Sequence, residues 1–189
     1  TYRDYLDKRA ELYVGKNKKI SLMDLATIGA KYLKKTGQLD NLDERTRTAI
    51  FELIEDDEIK EEIVLLNSYD YKEFGSRMST NFIVIKRTLT IKEAMKTLVD
   101  EAAENDNIYT LLVTNEDESF YGVINLKDLI VARSNAKLES LIYTNFPFVY
   151  DTDIISETIE RLRGYSENII PVLSSKSNAI LGVITSNDI

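Results

Sequence analysis

The stretch GVINLKDL (residues 122–129) returns sixty residues later as GVITSNDI (residues 182–189). Both copies open with glycine and two apolar residues, and both have an aspartate, Asp128 or Asp188, as their seventh residue. In each copy the apolar residues continue a buried strand, and the aspartate falls in the first turn of the following helix. A strand–helix junction written twice predicts two copies of one structural unit.

The repeat extends upstream of this stretch. Three pairs of segments correspond between the two copies: residues 80–82 with 144–146, residues 91–98 with 155–162, and, with a one-residue gap, residues 108–128 with 169–188. Each copy alternates short β-branched runs with amphipathic helices, which predicts a β-α-β-β-α unit. Two similar units are expected to pack around a pseudo-twofold axis and to form a cleft between them.

The region before the repeats is predicted to be all α-helical, so the fold class is α+β. Residues 2–68 contain no proline and three glycines, and they favour helix formers. Helices are expected to end at Gly15, to run from Ser21 to Gly37, and to open again at residues 41–44. The acidic run at residues 55–58 is expected to break the last helix as a solvated turn, or to form an edge that faces a cation.

These patterns divide the chain into three predicted domains. A helical N-terminal domain covers residues 1–68, a first repeat with its linker covers residues 69–143, and a second repeat covers residues 144–189. Since the chain begins without methionine and stops where a helix should follow Asp188, we expect it to be a fragment of a longer protein.

Composition excludes several classes of function. A formal net charge of −8 repels a nucleic-acid backbone, so nucleic acid is not an expected partner. Without cysteine or histidine, a metal site must use oxygen ligands, which favours magnesium or calcium. No apolar run approaches the roughly 20 residues of a membrane helix, and no signal peptide is present, so we expect this piece to be soluble and cytosolic.

The repeated junction suits a nucleotide. Backbone amides at a helix start attract phosphate, a polar group at the strand end can donate to it, and a carboxylate can accept two hydrogen bonds from ribose hydroxyls. The alternative is that Asp128 and Asp188 merely stabilise helix starts. Two copies in matching contexts favour a binding cleft.

Three stretches resemble a known family: YDYKEFGSRMSTNFI (residues 69–83), DNIYTLLV (residues 106–113) and YGVINLKDLIVA (residues 121–132). They resemble the cytosolic part of MgtE-type magnesium transporters, in which a pair of cystathionine-β-synthase (CBS) domains follows a helical domain. The similarity covers residues 69–189, about two thirds of the chain. The chain departs from the family pattern at four positions: Asp70 in place of proline, Phe74 in place of a small residue, Asn125 in place of serine, and Asn187 in place of an acid.

The resemblance implies a regulatory module that senses intracellular Mg²⁺, and an adenine nucleotide such as ATP, to gate transport. In the first repeat it places Tyr109 near the base, Lys127 near phosphate and Asp128 on the ribose hydroxyls. Each of these also has a plain structural explanation, as a strand tyrosine or an ordinary helix start.

For Mg²⁺ the candidates are Asp153, Glu157 and Asp188, with solvated capping acids as the alternative. Asp153 and Glu157 are four residues apart, so they would share one face if both were helical.

The resemblance also implies two partners and a location. A homodimer is expected through the CBS modules, by exposed apolar residues such as Leu126, Leu129 and Ile130. The second partner is a membrane domain of the same full-length chain, which would place this region at the cytoplasmic face of the membrane.

An enzyme is not expected, because no nucleophile–base pair or catalytic motif is present. Asp151 and Asp153 could form a hydrolytic pair, but carboxylates at this spacing in a turn are more often capping residues. The alternative function is a stand-alone CBS-pair sensor of adenine nucleotides that regulates a partner enzyme.

Overall fold

The computed structural model describes residues 29–30, 42–54, 57–103, 105, 107–162 and 168–185. The chain divides into two compact units, Thr1–Lys72 and Glu73–Ile189. The domain limits expected after residues 68 and 143 stay predictions.

In the first unit, helix α1 (Glu44–Glu52) begins after Asp43, whose carboxylate accepts the Thr46 N–H at 3.0 Å. Helix α2 (Asp57–Asn67) follows. The helix that was predicted to open at residues 41–44 is therefore interrupted after Glu52, as expected, but Asp57 and Glu58 of the acidic run already belong to α2.

The core of this unit contains Ala30, Ile54 and Ile63, with Ile50 and Phe51 packed against them. Gly29 and Ala30 are helical. The helix ends predicted at Gly15, Ser21 and Gly37 lie outside the described residues, as do Glu55 and Asp56.

The first repeat forms a three-stranded sheet with two helices. Its elements are β1 (Val84–Lys86), α3 (Ile91–Glu101), β2 (Thr110–Thr114), β3 (Phe120–Asn125) and α4 (Leu126–Val131). β1 pairs with β2 in parallel, and β2 pairs with β3 antiparallel. The apolar face of α3 packs onto the sheet, where Ile91, Ala94 and Leu98 are buried.

The second repeat has the same strand order. Its described elements are β4 (Val149–Tyr150), α5 (Ile155–Leu162), β5 (Ile169–Leu173) and β6 (Ile180–Thr185). The β5–β6 register repeats that of β2–β3 down to the same irregularity, between Val113 and Thr114 in one copy and between Val172 and Leu173 in the other. The predicted β-α-β-β repeat is confirmed; residues 186–189, where a second closing helix would start, lie outside the described part.

Equivalent residues of the two repeats meet. Ser119 forms an isolated bridge with Ala179, sixty residues on, and the Phe120 N–H donates to the Asn178 carbonyl at 2.9 Å. Between the sheets lies a shared core of Leu112, Val123, Ile169 and Val183. Contact between equivalent positions is what a pseudo-twofold axis requires, so the predicted symmetry is confirmed.

The segments that precede the repeats cross over. Ser79, before the first repeat, exchanges two backbone hydrogen bonds of 2.8 Å with Val183 on β6. Tyr143, before the second repeat, pairs in the same way with Val123 on β3, at 3.0 and 2.8 Å. We call the segments at Ser79 and at Tyr143 the lead-in segments of the first and second repeat. Each lead-in segment extends the sheet of the other repeat, which ties the two repeats together.

In the described part of the chain, no helix is long and apolar enough to cross a membrane.

Candidate functional site

The candidate site is built where β3 runs into α4. Thr110 at the start of β2 is the register partner of Asn125 at the end of β3. The Tyr109 carbonyl accepts the Leu126 N–H at 2.9 Å, which fixes the backbone before β2 against the first residue of α4. Tyr109 is thereby adjacent to the helix that contains Lys127 and Asp128.

The three residues predicted to bind a nucleotide are accessible at this junction. Tyr109 has 68% of its surface exposed, Lys127 is exposed and Asp128 is half-buried. Asp128 lies in the first turn of α4, as the sequence pattern predicted. The structure thus places all three residues at one strand–helix junction, and their assignment to a nucleotide stays a prediction.

The Asp128 carboxylate has a partner that the sequence pattern did not predict. Tyr143 donates its hydroxyl to Asp128 Oδ2 at 3.0 Å, and Asn125 Nδ2 approaches the same oxygen at 3.5 Å. The hydrogen bond to Asp128 and then the charge of that carboxylate raise the pKa of the Tyr143 phenol, while a hydrogen bond with Asn125 acts in the opposite direction. Asn125, which stands where the family has serine, lies beside the carboxylate.

Tyr143 is placed by strand pairing and by Gly122. A Cβ atom on Gly122 would lie 2.5 Å from the Tyr143 carbonyl oxygen and 2.9 Å from Ile142 Cγ2, closer than van der Waals contact allows. The glycine lets the lead-in segment reach β3. The sequence contains one signal for the position of Tyr143. Tyr143 lies 64 residues after Ser79, which is the same spacing that separates residues 80–82 from residues 144–146.

A second polar cluster fixes the segment that leads to Tyr143. The Arg87 guanidinium lies 3.9 Å above the centre of the Tyr121 ring and 3.5 Å from Glu139 Oε2. The Tyr121 hydroxyl donates to Glu139, which raises the pKa of that phenol. Glu139 belongs to the 3-10 turn Leu138–Leu141, so the cluster ties this turn to β3 and to the end of β1.

Asp153 and Glu157, the two described metal candidates, do not share a helical face. α5 begins at Ile155, and Asp153 precedes it, with its Oδ2 accepting the Tyr150 N–H at 3.0 Å. Glu157 is exposed in the first turn of α5. The shared face depended on both residues being helical, and this condition is not met, because Asp153 closes the turn before the helix. Asp188 lies outside the described residues, and the assignment of all three to Mg²⁺ stays a prediction.

Asp151 and Asp153 are turn residues. Asp151 is buried, and its Oδ1 accepts the Thr152 and Ser175 N–H groups at 3.0 and 2.9 Å. The structure thus agrees with the capping interpretation rather than with a hydrolytic pair. Within the described ranges, no group of three or more acidic side chains is arranged to hold a metal ion.

The apolar face predicted to form a dimer is only partly exposed. Leu129 is 1% exposed in the core of the first repeat, and Leu126 is packed against that core. The prediction that Leu126 and Leu129 are exposed was wrong, because both residues lie on the side of α4 that faces its own sheet. Ile130 is 60% exposed, as expected, and the next residue, Val131, is 70% exposed.

Comparisons with known proteins agree with this architecture. The CBS domain family matches residues 72–135. The magnesium transporter MgtE of Thermus thermophilus is 26% identical over 151 residues, which are 79% of this chain and 30% of that protein. The chain spans 28 to 30% of the length of the curated relatives it matches.

Two solved structures share the fold over almost the whole chain. The soluble part of a magnesium transporter has a TM-score of 0.75 at 23% identity, covering 96% of this chain and 70% of that one. The cytosolic domain of the Mg²⁺ channel MgtE in complex with ATP has a TM-score of 0.72 at 20% identity, covering 97% of this chain and 83% of that one. In sequence the chain is similar to MgtE magnesium transporters over most of its length, and its two repeats have the fold of a pair of CBS domains.

Proposed function

We propose that this chain is the cytosolic regulatory region of a magnesium transporter, joined to a membrane domain of the same protein at the cytoplasmic face of the membrane. It binds intracellular Mg²⁺ and an adenine nucleotide and gates transport. The observation that carries the proposal is the match to a magnesium transporter over 79% of this chain. The region acts by binding and not by catalysis.

The first repeat supplies the nucleotide site. A similar cytosolic domain has been solved with ATP, which supports the same class of ligand here. Tyr109 offers an exposed ring on which a base can stack, Lys127 an ammonium group for phosphate, and Asp128 a carboxylate that accepts from ribose. These three groups are the chemistry that an adenine nucleotide requires.

We propose that Mg²⁺ binds between facing acidic surfaces of a dimer. Mg²⁺ keeps several of its waters and is usually held by one or two carboxylates, so a complete cage within this chain is not required. Asp153 and Glu157 can supply such ligands at the start of the second repeat, with Asp188 as the third candidate. An ion that bridges facing carboxylates removes their repulsion and favours the compact, closed state of a dimer.

Calorimetry and limited proteolysis test the two ligands separately. We expect ATP to bind the parent chain and to bind Asp128→Ala about ten-fold more weakly. We expect millimolar Mg²⁺, but not potassium at equal ionic strength, to slow cleavage after Ser68. ATP binding without any Mg²⁺ effect would contradict the transporter proposal and favour the stand-alone nucleotide sensor. If the chain showed neither ATP binding nor protection by Mg²⁺, both the transporter proposal and the nucleotide-sensor alternative would be contradicted.

A further inference from the structure

A cavity of about 520 Å³ opens beside β4 in the second repeat. Its described lining is mostly apolar and aromatic, and includes Phe146, Phe148, Tyr150 and Leu162. Asp153 is the one charged residue in that described lining. Small organic molecules bind in cavities of this size and composition, where a few polar groups fix the orientation of the ligand.

Two aromatic rings of the lining stand almost at right angles. The ring centres of Phe148 and Tyr150 are 5.6 Å apart, with 79° between the ring planes. Phe148 also packs edge to face against Phe120, at 6.2 Å between ring centres, and the Tyr150 hydroxyl donates to Asn178 Oδ1 at 3.2 Å. Both rings are therefore held in place, although Phe148 keeps 38% of its surface exposed.

The carboxylate of Asp153 belongs to the same cavity. Its Oδ2 accepts the Tyr150 N–H at 3.0 Å, which places the charged group next to the residue that supplies one of the rings. A carboxylate on a mostly apolar cavity costs free energy unless a positive group offsets it, and no cationic side chain belongs to the described lining. We call Phe148, Tyr150 and Asp153 the aromatic corner.

The chemistry of the aromatic corner favours an organic cation. Aromatic faces attract ammonium groups, and quaternary ammonium ligands are commonly bound between such faces. The carboxylate adds a favourable charge, and the apolar walls accept the body of the ligand. A hydrated Mg²⁺ ion does not suit the two rings, because it keeps its waters and takes oxygen ligands.

The first repeat has no counterpart of the aromatic corner. With the 64-residue spacing of the two copies, the equivalent positions are Val84, Lys86 and Leu89. Since β1 and β4 have the same place in their sheets, the fold of a repeat does not require two rings and a carboxylate at these positions. A ligand that binds to the second repeat alone accounts for the difference.

The aromatic corner is separate from the junction of β3 and α4. Phe120, which contacts Phe148, begins β3, and Asn125 ends it. Five residues of a strand span about 17 Å. The corner therefore lies toward the end of β3 that is remote from Asp128.

We infer that the aromatic corner binds a small organic cation with an apolar body. The ammonium group lies against the Phe148 and Tyr150 rings, with the Asp153 carboxylate as its counter-ion, and the apolar part extends toward Phe146 and Leu162. The inference does not depend on the proposed nucleotide and Mg²⁺ sites. Because Asp153 is also a Mg²⁺ candidate, its tests are made with a chelator present.

Titrations followed by ¹H–¹⁵N NMR compare a cation with a neutral molecule of nearly the same shape. The probes are benzyltrimethylammonium and 2-methyl-1-phenyl-2-propanol. We expect the cation to shift the backbone amide signals of Tyr150 and Asp153, and the alcohol to bind about ten-fold more weakly. Equal binding of the two probes would overturn the inference, as would a parent chain that does not bind the cation.

Three variants separate charge and ring from folding. Asp153→Asn keeps an oxygen that can accept the Tyr150 N–H and removes the charge, so it should weaken the cation about ten-fold and leave the alcohol unchanged. A loss of stability alone would weaken both probes alike. Tyr150→Phe keeps the ring and should bind like the parent, whereas Tyr150→Leu should bind the cation about ten-fold more weakly.

The control is Tyr71→Leu, which removes a partly exposed tyrosine from the first unit and should leave cation binding unchanged. Undiminished binding to Asp153→Asn would overturn the inference even if Tyr150→Leu failed to fold. Shifts confined to the junction of β3 and α4 would also overturn it, since the probe would then bind at the other end of the strand.

Discussion

Met78 packs directly against Gly182: a Cβ atom on the glycine would lie 2.8 Å from Met78 Cβ and Cγ and 2.9 Å from its Sδ. Met78 precedes the first repeat, and Gly182 lies on β6 of the second. The glycine of the repeated GVI stretch is thus where the lead-in segment of one repeat crosses the sheet of the other.

Gly182→Ala should destabilise the protein by about 1–3 kcal/mol, because the added methyl group overpacks this crossing. Gly122→Ala should cost at least as much, since its methyl group would meet the Tyr143 backbone oxygen at 2.5 Å, which cannot move as a side chain can. Urea denaturation measures both changes.

Met78→Ala in the Gly182→Ala background provides the control. Shortening Met78 should recover part of the loss, so the double-mutant cycle should show coupling between the two positions. Strictly additive effects would contradict the overpacking explanation.

Thr90 begins α3 with a capping box: its hydroxyl accepts the Glu93 N–H, and the Glu93 carboxylate accepts the Thr90 N–H. Thr90→Ala should cost about 1 kcal/mol of stability near neutral pH. Thr88→Ala, at an exposed threonine two residues earlier, should cost little. Equal losses for the two variants would argue against the cap.

The capping box should also depend on pH. Hydrogen bonds from the Thr90 backbone and then from its hydroxyl lower the pKa of Glu93 below its ordinary value of 4.5. A depressed pKa in the folded state means that this contribution is fully present above the ordinary pKa and is lost as pH falls through the folded-state pKa. Thermal unfolding should therefore show Glu93→Gln less sensitive than the parent to acidification towards about pH 3.

The exposed residues of α4 are expected to lie in a dimer interface. Ile130→Glu combined with Val131→Glu should convert a dimer to a monomer, because these side chains are 60% and 70% exposed and charge would oppose their burial. Sedimentation equilibrium at high micromolar concentration measures this. Val64→Glu, at a valine 51% exposed on α2, is the matched control; a parent chain that is already monomeric would contradict the prediction.

Magnesium protection is expected to depend on the second repeat. Asp153→Asn combined with Glu157→Gln should weaken the Mg²⁺-dependent protection of the segment after Ser68, and adding Asp188→Asn should abolish it. Asp100→Asn with Glu116→Gln removes the same charge from exposed positions elsewhere and should leave protection unchanged. An undiminished response in the triple variant would direct attention to residues 55–58.

The sequence by itself determined the elements of this protein and their order. The alternation of short β-branched runs with amphipathic helices predicted a β-α-β-β-α unit, and the sixty-residue repeat predicted two of them, because such patterns report local burial and need no knowledge of distant contacts. The position of Asp128 in the first turn of α4 followed from the same local reasoning, as did the break between α1 and α2.

The tertiary structure decided what the repeated residues touch. That Tyr143 donates to Asp128, and that Leu129 is buried while Ile130 is exposed, depends on the pairing of Tyr143 with Val123 and on the docking of α4 onto its own sheet. The glycines at 122 and 182 read as part of a strand, whereas the structure shows that each admits a segment from the other repeat. Periodicity specifies which face of an element is apolar, but the partner of that face is set by packing between segments far apart in the chain, and those contacts form only when both sheets are in place.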